Sequence, residues 1–125
     1  MIKVLVADDD KLLRRVFKLL LEREGFKVDA VGDGFQALKF VKNNPAYHLL
    51  ITDVNMPGMS GLTLSKKAKK LSPEMKIIGI SGNGLGPEDA KEHFDYFISK
   101  PFDVDELISG INKVLNQSSL YLKTA

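Results

Sequence analysis

The chain has 125 residues, 44% of them hydrophobic and 27% charged, a balance that suits one soluble globular domain with a proper core. The absence of cysteine excludes disulfides, thiolate metal sites and a cysteine nucleophile. A net charge of +2 is too small to argue for nucleic acid, no apolar run reaches membrane-spanning length and the opening residues carry no secretory pattern, so a cytoplasmic protein is expected.

Strand and helix signals alternate along the chain. Residues 2–7 form an apolar run that ends in Asp8-Asp9-Asp10. Residues 11–24 follow at helical spacing, with Leu12, Leu13, Val16, Phe17, Leu19 and Leu20 on a broad apolar face, and Gly25 is the natural stop. Residues 27–31 are a second strand. Asp33 and Gln36 have capping-box spacing and open a helix to about Asn43, which Asn44-Pro45 ends. Residues 49–53 are a buried strand closed by an acid and a Pro-Gly loop. Ser60 caps a helix over 61–71, residues 76–81 are the fourth strand and residues 96–99 the fifth. Asp103 and Glu106 cap a last helix whose buried face is Val104, Leu107, Ile108, Ile111, Val114 and Leu115. The domain is expected over 1–116, with 117–125 as a tail or the start of a linker.

Five strands alternating with helices imply an α/β fold, a single doubly wound parallel sheet covered on both faces. Right-handed crossovers place every strand's carboxyl end on one rim, where such sheets bind ligands. On that rim stand Asp8 and Asp9, Asp53, Ser81, and Lys100-Pro101. Asp53 alone is open to two readings, a turn-starting residue or a functional acid; the convergence from four strands favours the second. Two carboxylates about 4 Å apart repel by roughly 4 kcal/mol at an effective dielectric near 20, so the pocket calls for a cation. Oxygen donors without His or Cys suit Mg²⁺ or Mn²⁺. An Asp carboxylate can attack phosphorus, while a Lys and a Ser hydroxyl grip the phosphoryl oxygens. The division of labour is then Asp53 as acceptor, Asp9 with Asp8 behind it as metal ligands, and Lys100 and Ser81 on the phosphoryl group.

The motifs Val6-Ala7-Asp8-Asp9-Asp10, Thr52 to Gly61 around Asp53, Ile80-Ser81-Gly82 and Ser99-Lys100-Pro101-Phe102 stand in this order at the ends of successive strands. In this the chain, over about Lys3 to Asn116, resembles the receiver domain of response regulators. The resemblance implies a flavodoxin-like sheet in the order 2-1-3-4-5. It implies phosphoryl transfer to Asp53 from a histidine kinase or histidine phosphotransfer protein, and control of a downstream protein target or of an output domain outside this span. It further implies Mg²⁺ on Asp9, Asp53 and the backbone carbonyl of Asn55 with Asp8 assisting, Ser81 and Phe97 as switch residues, and a cis Lys100–Pro101 bond. Such a domain phosphorylates and dephosphorylates itself and is not an enzyme acting on external substrates.

Other features need weighing. Lys11, Arg14, Arg15 and Lys18 fall on one stripe of the first helix, beside the acidic pocket, and are candidates for docking an acidic donor protein; the competing reading is a solvent face. Lys66, Lys67, Lys69 and Lys70 read as a solvated face rather than a nucleic-acid site, and neither a membrane nor direct nucleic acid is expected as a partner. Asp10 reads as a helix cap, Met56 and Met59 as loop packing, and His48 and His93 have no assigned role. Between Ser81 and Lys100 the stretch is shorter than the receiver pattern, with Gly82, Gly84 and Gly86 ahead of a short helix over 87–92. A mobile segment that orders on phosphorylation is expected there. A degenerate receiver that binds without phosphate is disfavoured by the intact acids, Ser81 and Lys100. A haloacid-dehalogenase-type phosphatase is disfavoured by Asn55, where that class has a second acid, and a flavin binder by the acidic first loop.

Overall fold

Leu49–Asp53 has no exposed residue, which a strand can achieve only at the centre of a sheet covered on both faces. The computed structural model places it there and describes residues 1–44, 46–82 and 92–116. The elements are β1 (Lys3–Ala7), α1 (Lys11–Arg23), β2 (Lys27–Val31), α2 (Gly34–Asn43), β3 (Leu49–Asp53), α3 (Gly61–Leu71), β4 (Lys76–Ser81), β5 (Tyr96–Ser99) and α4 (Val104–Asn116). The strands are all parallel, in the order β2-β1-β3-β4-β5. The expected topology is therefore the observed one. The glycine-rich loop after Gly82 and most of the short helix expected over 87–92 lie outside the described residues, as does the tail at 117–125; Glu92 and His93 are helical.

Alternation along the strands divides the core in two. Leu5, Leu50 and Ile77 face α2 and α3, where Ala37, Val41, Leu64 and Ala68 meet them. Val4, Val6, Leu49, Ile51, Ile78 and Ile80 face α1 and α4, against Phe17, Leu21, Leu107 and Ile111. Each large side chain buried in this way contributes about 1.5–3 kcal/mol, so both layers are needed to hold the sheet in register.

The caps form as read, with one difference. Asp10 accepts from the N–H groups of Leu12 and Leu13 at 3.0 and 3.2 Å, Ser60 from Thr63 at 3.2 Å, and Asp103 from Glu106 at 2.8 Å. Asp33 accepts from Gln36 at 2.8 Å, but the Gln36 side chain reaches past the cap to the N–H of Gly32 at 3.3 Å. Gly25 ends α1 at φ +93, a left-handed conformation that glycine adopts without a Cβ penalty.

The face expected for α1 is corrected. Leu12, Val16 and Leu19 are 71%, 40% and 65% exposed, and Phe17 and Leu21 are the buried residues. At about 100° per residue, six apolar positions spread over more of the helix than a single sheet face can cover, so only the stripe through Phe17 and Leu21 is enclosed. On α4 the expected face holds for Leu107, Ile111, Val114 and Leu115, while Val104 is 44% exposed.

Candidate functional site

Register alone assembles the rim. Ala7 pairs with Thr52, which sets Asp8 beside Asp53; Asp53 pairs with Ile80, one step before Ser81; Ser81 pairs with Ser99, one step before Lys100. The carboxylates of Asp8, Asp9 and Asp53 each offer an oxygen within 4.8 Å of the others. Asp8 and Asp53 are buried and Asp9 is exposed, so the cluster opens to solvent on the Asp9 side.

Each Asp53 oxygen has a partner. Oδ1 accepts from the backbone N–H of Asn55 at 3.0 Å and Oδ2 from the Lys100 ammonium at 3.2 Å. The Asn55 amide donates to Ser81 Oγ at 3.2 Å, which ties the loop after β3 to the end of β4. The Lys100–Pro101 peptide is cis. The Asp8 carboxylate accepts from the N–H of Asp10 at 2.8 Å. Burial above all pushes the Asp8 pKa up; the Asp10 hydrogen bond opposes it, and the neighbouring Asp53 charge raises it again.

The loop after β3 depends on close approach. Gly61 donates its N–H to the carbonyl of Val54 at 2.8 Å, and a Cβ on Gly61 would lie 2.3 Å from the carbonyl oxygen of Asp53. Only glycine lets α3 start this near the acid. Gly58, at φ +81, makes the preceding turn, and Met56 and Met59 close it from the core side.

The donor set fits a hard divalent cation: three carboxylates, no nitrogen or sulfur ligand, and one face open to water. An ammonium and a hydroxyl stand on the far side of Asp53 from its strand neighbours in β1. The arrangement can hold a cation next to a nucleophilic carboxylate and neutralise an anionic group brought to it.

Comparison with known proteins agrees with this chemistry. Residues 4–112 match the family described as the response regulator receiver domain. The chain belongs to the response regulator receiver family. The receiver is 33% identical over 116 residues to the response regulator receiver protein CpdR of Brucella abortus, covering 90% of this chain and 96% of that one. It is 36% identical over 120 residues to the DNA-binding transcriptional regulator NtrC of Azospirillum brasilense, but spans 24% of that protein's length. Among solved structures, the response regulator TrrA of Thermotoga maritima, in complex with Mg²⁺ and BeF, superposes with a TM-score of 0.82 at 34% identity, covering 91% of this chain and 99% of that one. A receiver is a phosphoacceptor module of two-component signalling.

Of the residues singled out in the sequence, Asp8, Asp9, Asp53, Asn55, Ser81 and Lys100 meet at one site. Phe97 lies three residues before Lys100, half-buried, with its ring 6.2 Å from that of Phe94. Lys11, Arg15 and Lys18 are exposed on α1. Arg14 departs from that stripe: its Nη1 donates to the backbone carbonyl of Asp8 at 2.8 Å. Lys66, Lys67 and Lys70 are exposed, whereas Lys69 pairs with Asp95 at 3.1 Å. His48 accepts from the Lys3 N–H at 3.0 Å.

Sequence reasoning missed an apolar groove of about 520 Å³ that runs from Leu13, Val16 and Leu20 to Pro101, Phe102 and Val104, with Lys100 at its end. The signal was present in the surplus of leucine and valine on α1. Among the described residues no helix is long and apolar enough to cross a membrane.

Proposed function

We propose that Asp53 accepts the phosphoryl group and that Asp8, Asp9 and Asp53, with the Asn55 carbonyl, hold Mg²⁺ beside it. The observation that carries this reading is the Asp53 carboxylate, set within 4.8 Å of two other acids and 3.2 Å from an ammonium. When bound, the metal supplies charge neutralisation and a fixed anchor for phosphoryl oxygens. An Asp53 carboxylate oxygen attacks phosphorus; the bond from phosphorus to the donor's nitrogen, or to the carboxyl oxygen of acetyl phosphate, breaks and its electron pair leaves with the donor. Lys100 meets the charge on the transferred group, as it already meets Oδ2. Ser81, at the end of the next strand, is the hydroxyl that contacts the new phosphoryl oxygens, and Phe97 repacks when Ser81 moves. Hydrolysis of the acyl phosphate at the same site returns the domain to its starting state.

The donor is a histidine kinase or histidine phosphotransfer protein, docking on α1. Exposed Lys11, Arg15 and Lys18 supply charge that complements an acidic partner, and the groove beside Val16 and Phe102 supplies apolar area next to the pocket. The output is a protein target or an attached domain, in keeping with relatives in which the matched span is a quarter of the protein. Residues 1–116 form the receiver unit, working in the cytoplasm.

Intact-mass analysis after treatment with acetyl phosphate and Mg²⁺ tests the assignment. The wild-type protein gains one phosphoryl group and Asp53→Asn gains none. Equal labelling of Asp53→Asn would overturn it.

A further inference from the structure

Asp8, whose carbonyl opens the peptide to Asp9, is held from three directions. The Asp8 N–H donates to the carbonyl of Val31 at 3.1 Å, which continues the β1–β2 ladder beyond its last pair. The Asp8 carboxylate accepts from Asp10 at 2.8 Å, so the side chain is tied to the start of α1. The Asp8 carbonyl accepts from Arg14 Nη1 at 2.8 Å. A peptide unit is planar, so fixing its carbonyl oxygen fixes the position of the following Cα. Here that Cα belongs to Asp9, the exposed member of the acidic cluster, two residues past the end of β1.

The guanidinium has a place made for it. A Cβ on Gly32, just past the end of β2, would stand 3.2 Å from Arg14 Nη1 and 3.6 Å from its Cζ. Helix geometry brings it there: Arg14 lies about 60° round α1 from buried Phe17, on the flank that packs toward β2. Arg15, Lys11 and Lys18 lie further round, in solvent.

We infer that Arg14 is a positioning residue for the cation pocket, setting the Asp8–Asp9 peptide plane so that the Asp9 carboxylate stays within ligand distance of Asp8 and Asp53, with Gly32 as the space that admits it. The inference rests on the reading of that cluster as a Mg²⁺ site. Arg14 touches neither the acidic side chains nor the Asp53 oxygens, so it acts through backbone geometry. Outer partners of metal ligands act in this way when they restrict a ligand's orientation rather than donate an electron pair.

Calorimetric titration with Mg²⁺ alone, on the wild type, Arg14→Ala, Gly32→Ala and the double variant, tests this. Arg14→Ala weakens Mg²⁺ affinity roughly 10-fold. Gly32→Ala weakens it less, because its added methyl displaces only the end of a flexible side chain. The two effects are not additive: with Arg14 already removed, Gly32→Ala has no further effect on the dissociation constant. In acetyl phosphate reactions, Arg14→Ala raises the Mg²⁺ concentration giving half the maximal rate and leaves the rate at saturating Mg²⁺ unchanged. An unchanged dissociation constant in Arg14→Ala would overturn the inference, as would a Gly32→Ala effect that persists undiminished in the double variant. If Arg14→Ala does not fold, an unchanged dissociation constant in Gly32→Ala alone overturns it. Failure of the wild type itself to bind Mg²⁺ overturns the reading of the acidic cluster and the inference with it.

Discussion

The Lys100 ammonium and the Asp53 carboxylate are 3.2 Å apart although β3 and β5 are not neighbours: β4 lies between them. The lysine reaches over the end of β4 to do this, past Gly82. The pair links the two halves of the rim and supplies an ammonium against three clustered carboxylates.

Lys100→Met therefore has two separable effects. Without metal, the loss of an ammonium partner to a nearly buried carboxylate lowers stability by about 1–3 kcal/mol. With Mg²⁺ present, much of that loss is recovered, because the metal supplies the missing charge. Phosphorylation by acetyl phosphate remains slow even at saturating Mg²⁺, since Lys100 also meets the transferred group. Urea unfolding with and without Mg²⁺, beside a phosphorylation time course, checks both; a variant that phosphorylates at the wild-type rate would remove Lys100 from the reaction.

Metal binding is linked to stability through the repulsion it relieves. At 4.8 Å and an effective dielectric near 20, one pair of carboxylates repels by about 3.5 kcal/mol. Mg²⁺ at a hundredfold excess over its Kd stabilises the fold by about 2.7 kcal/mol, a shift in melting temperature on the order of 10 °C for a domain of this size. Asp9→Ala removes the Mg²⁺ dependence and raises the metal-free stability. Thermal melts across a Mg²⁺ titration decide it: full Mg²⁺ stabilisation retained in Asp9→Ala would exclude Asp9 as a ligand.

Gly61→Ala probes the approach of α3 to the acid. Its methyl would meet the backbone carbonyl of Asp53 at 2.3 Å and Val54 Cα at 2.8 Å, and neither can rotate away. The helix must shift instead, at a cost of about 1–3 kcal/mol, and the Asn55 N–H bond to Asp53 is disturbed with it. Lower stability together with weaker Mg²⁺ binding is expected from urea unfolding and calorimetry. Wild-type values in both would mean that the loop yields without strain.

His48 gives the fold a pH dependence unrelated to phosphoryl transfer. Its Nδ1 accepts from the Lys3 N–H, which requires the neutral ring, and burial foremost, with the Lys3 charge adding, holds its pKa below the ordinary 6.5. Above pH 6.5 the ring is neutral in both folded and unfolded chains, and its contribution is fully present. As pH falls below 6.5 the unfolded chain takes up the proton first, so stability is lost until the folded-state pKa is passed. Asp8 acts in the opposite direction. Its raised pKa means that the metal-free folded protein protonates above 3.8, before the unfolded chain does, and gains stability as pH falls through that window. The two are separated by comparison: between pH 7.5 and 5, wild type loses more stability than His48→Gln in urea unfolding. Equal losses in the two proteins would show that His48 titrates alike in both states.

A receiver of this kind shows how differently sequence speaks about elements, sites and surfaces. Strand and helix positions were legible because each carries a local signal, such as the apolar run of residues 49–53 or the cap spacing of Asp103 and Glu106. The convergence of Asp8, Asp9, Asp53, Ser81 and Lys100 was legible too, since parallel strands joined by right-handed crossovers deliver their ends to one rim wherever the details of packing fall. Residue chemistry then limited what the rim could hold: acids without His or Cys call for a hard cation.

The faces of α1 were decided by the tertiary structure. Helical spacing gives the angle between Leu12 and Phe17 but not which angle meets the sheet, because that depends on how the helix axis lies across β1 and β2. The enclosed stripe passes through Phe17 and Leu21 and leaves Leu12, Val16 and Leu19 in solvent. The same rotation carries Arg14 out of the basic stripe and onto the Asp8 carbonyl. Charge pattern placed Arg14 with Arg15 and Lys18, since a one-dimensional stripe cannot register the gap that Gly32 leaves just past the end of β2. Local propensity and topology set the elements and their order by themselves; the contacts of a side chain between two elements depend on their relative rotation, which only close packing of the whole core determines.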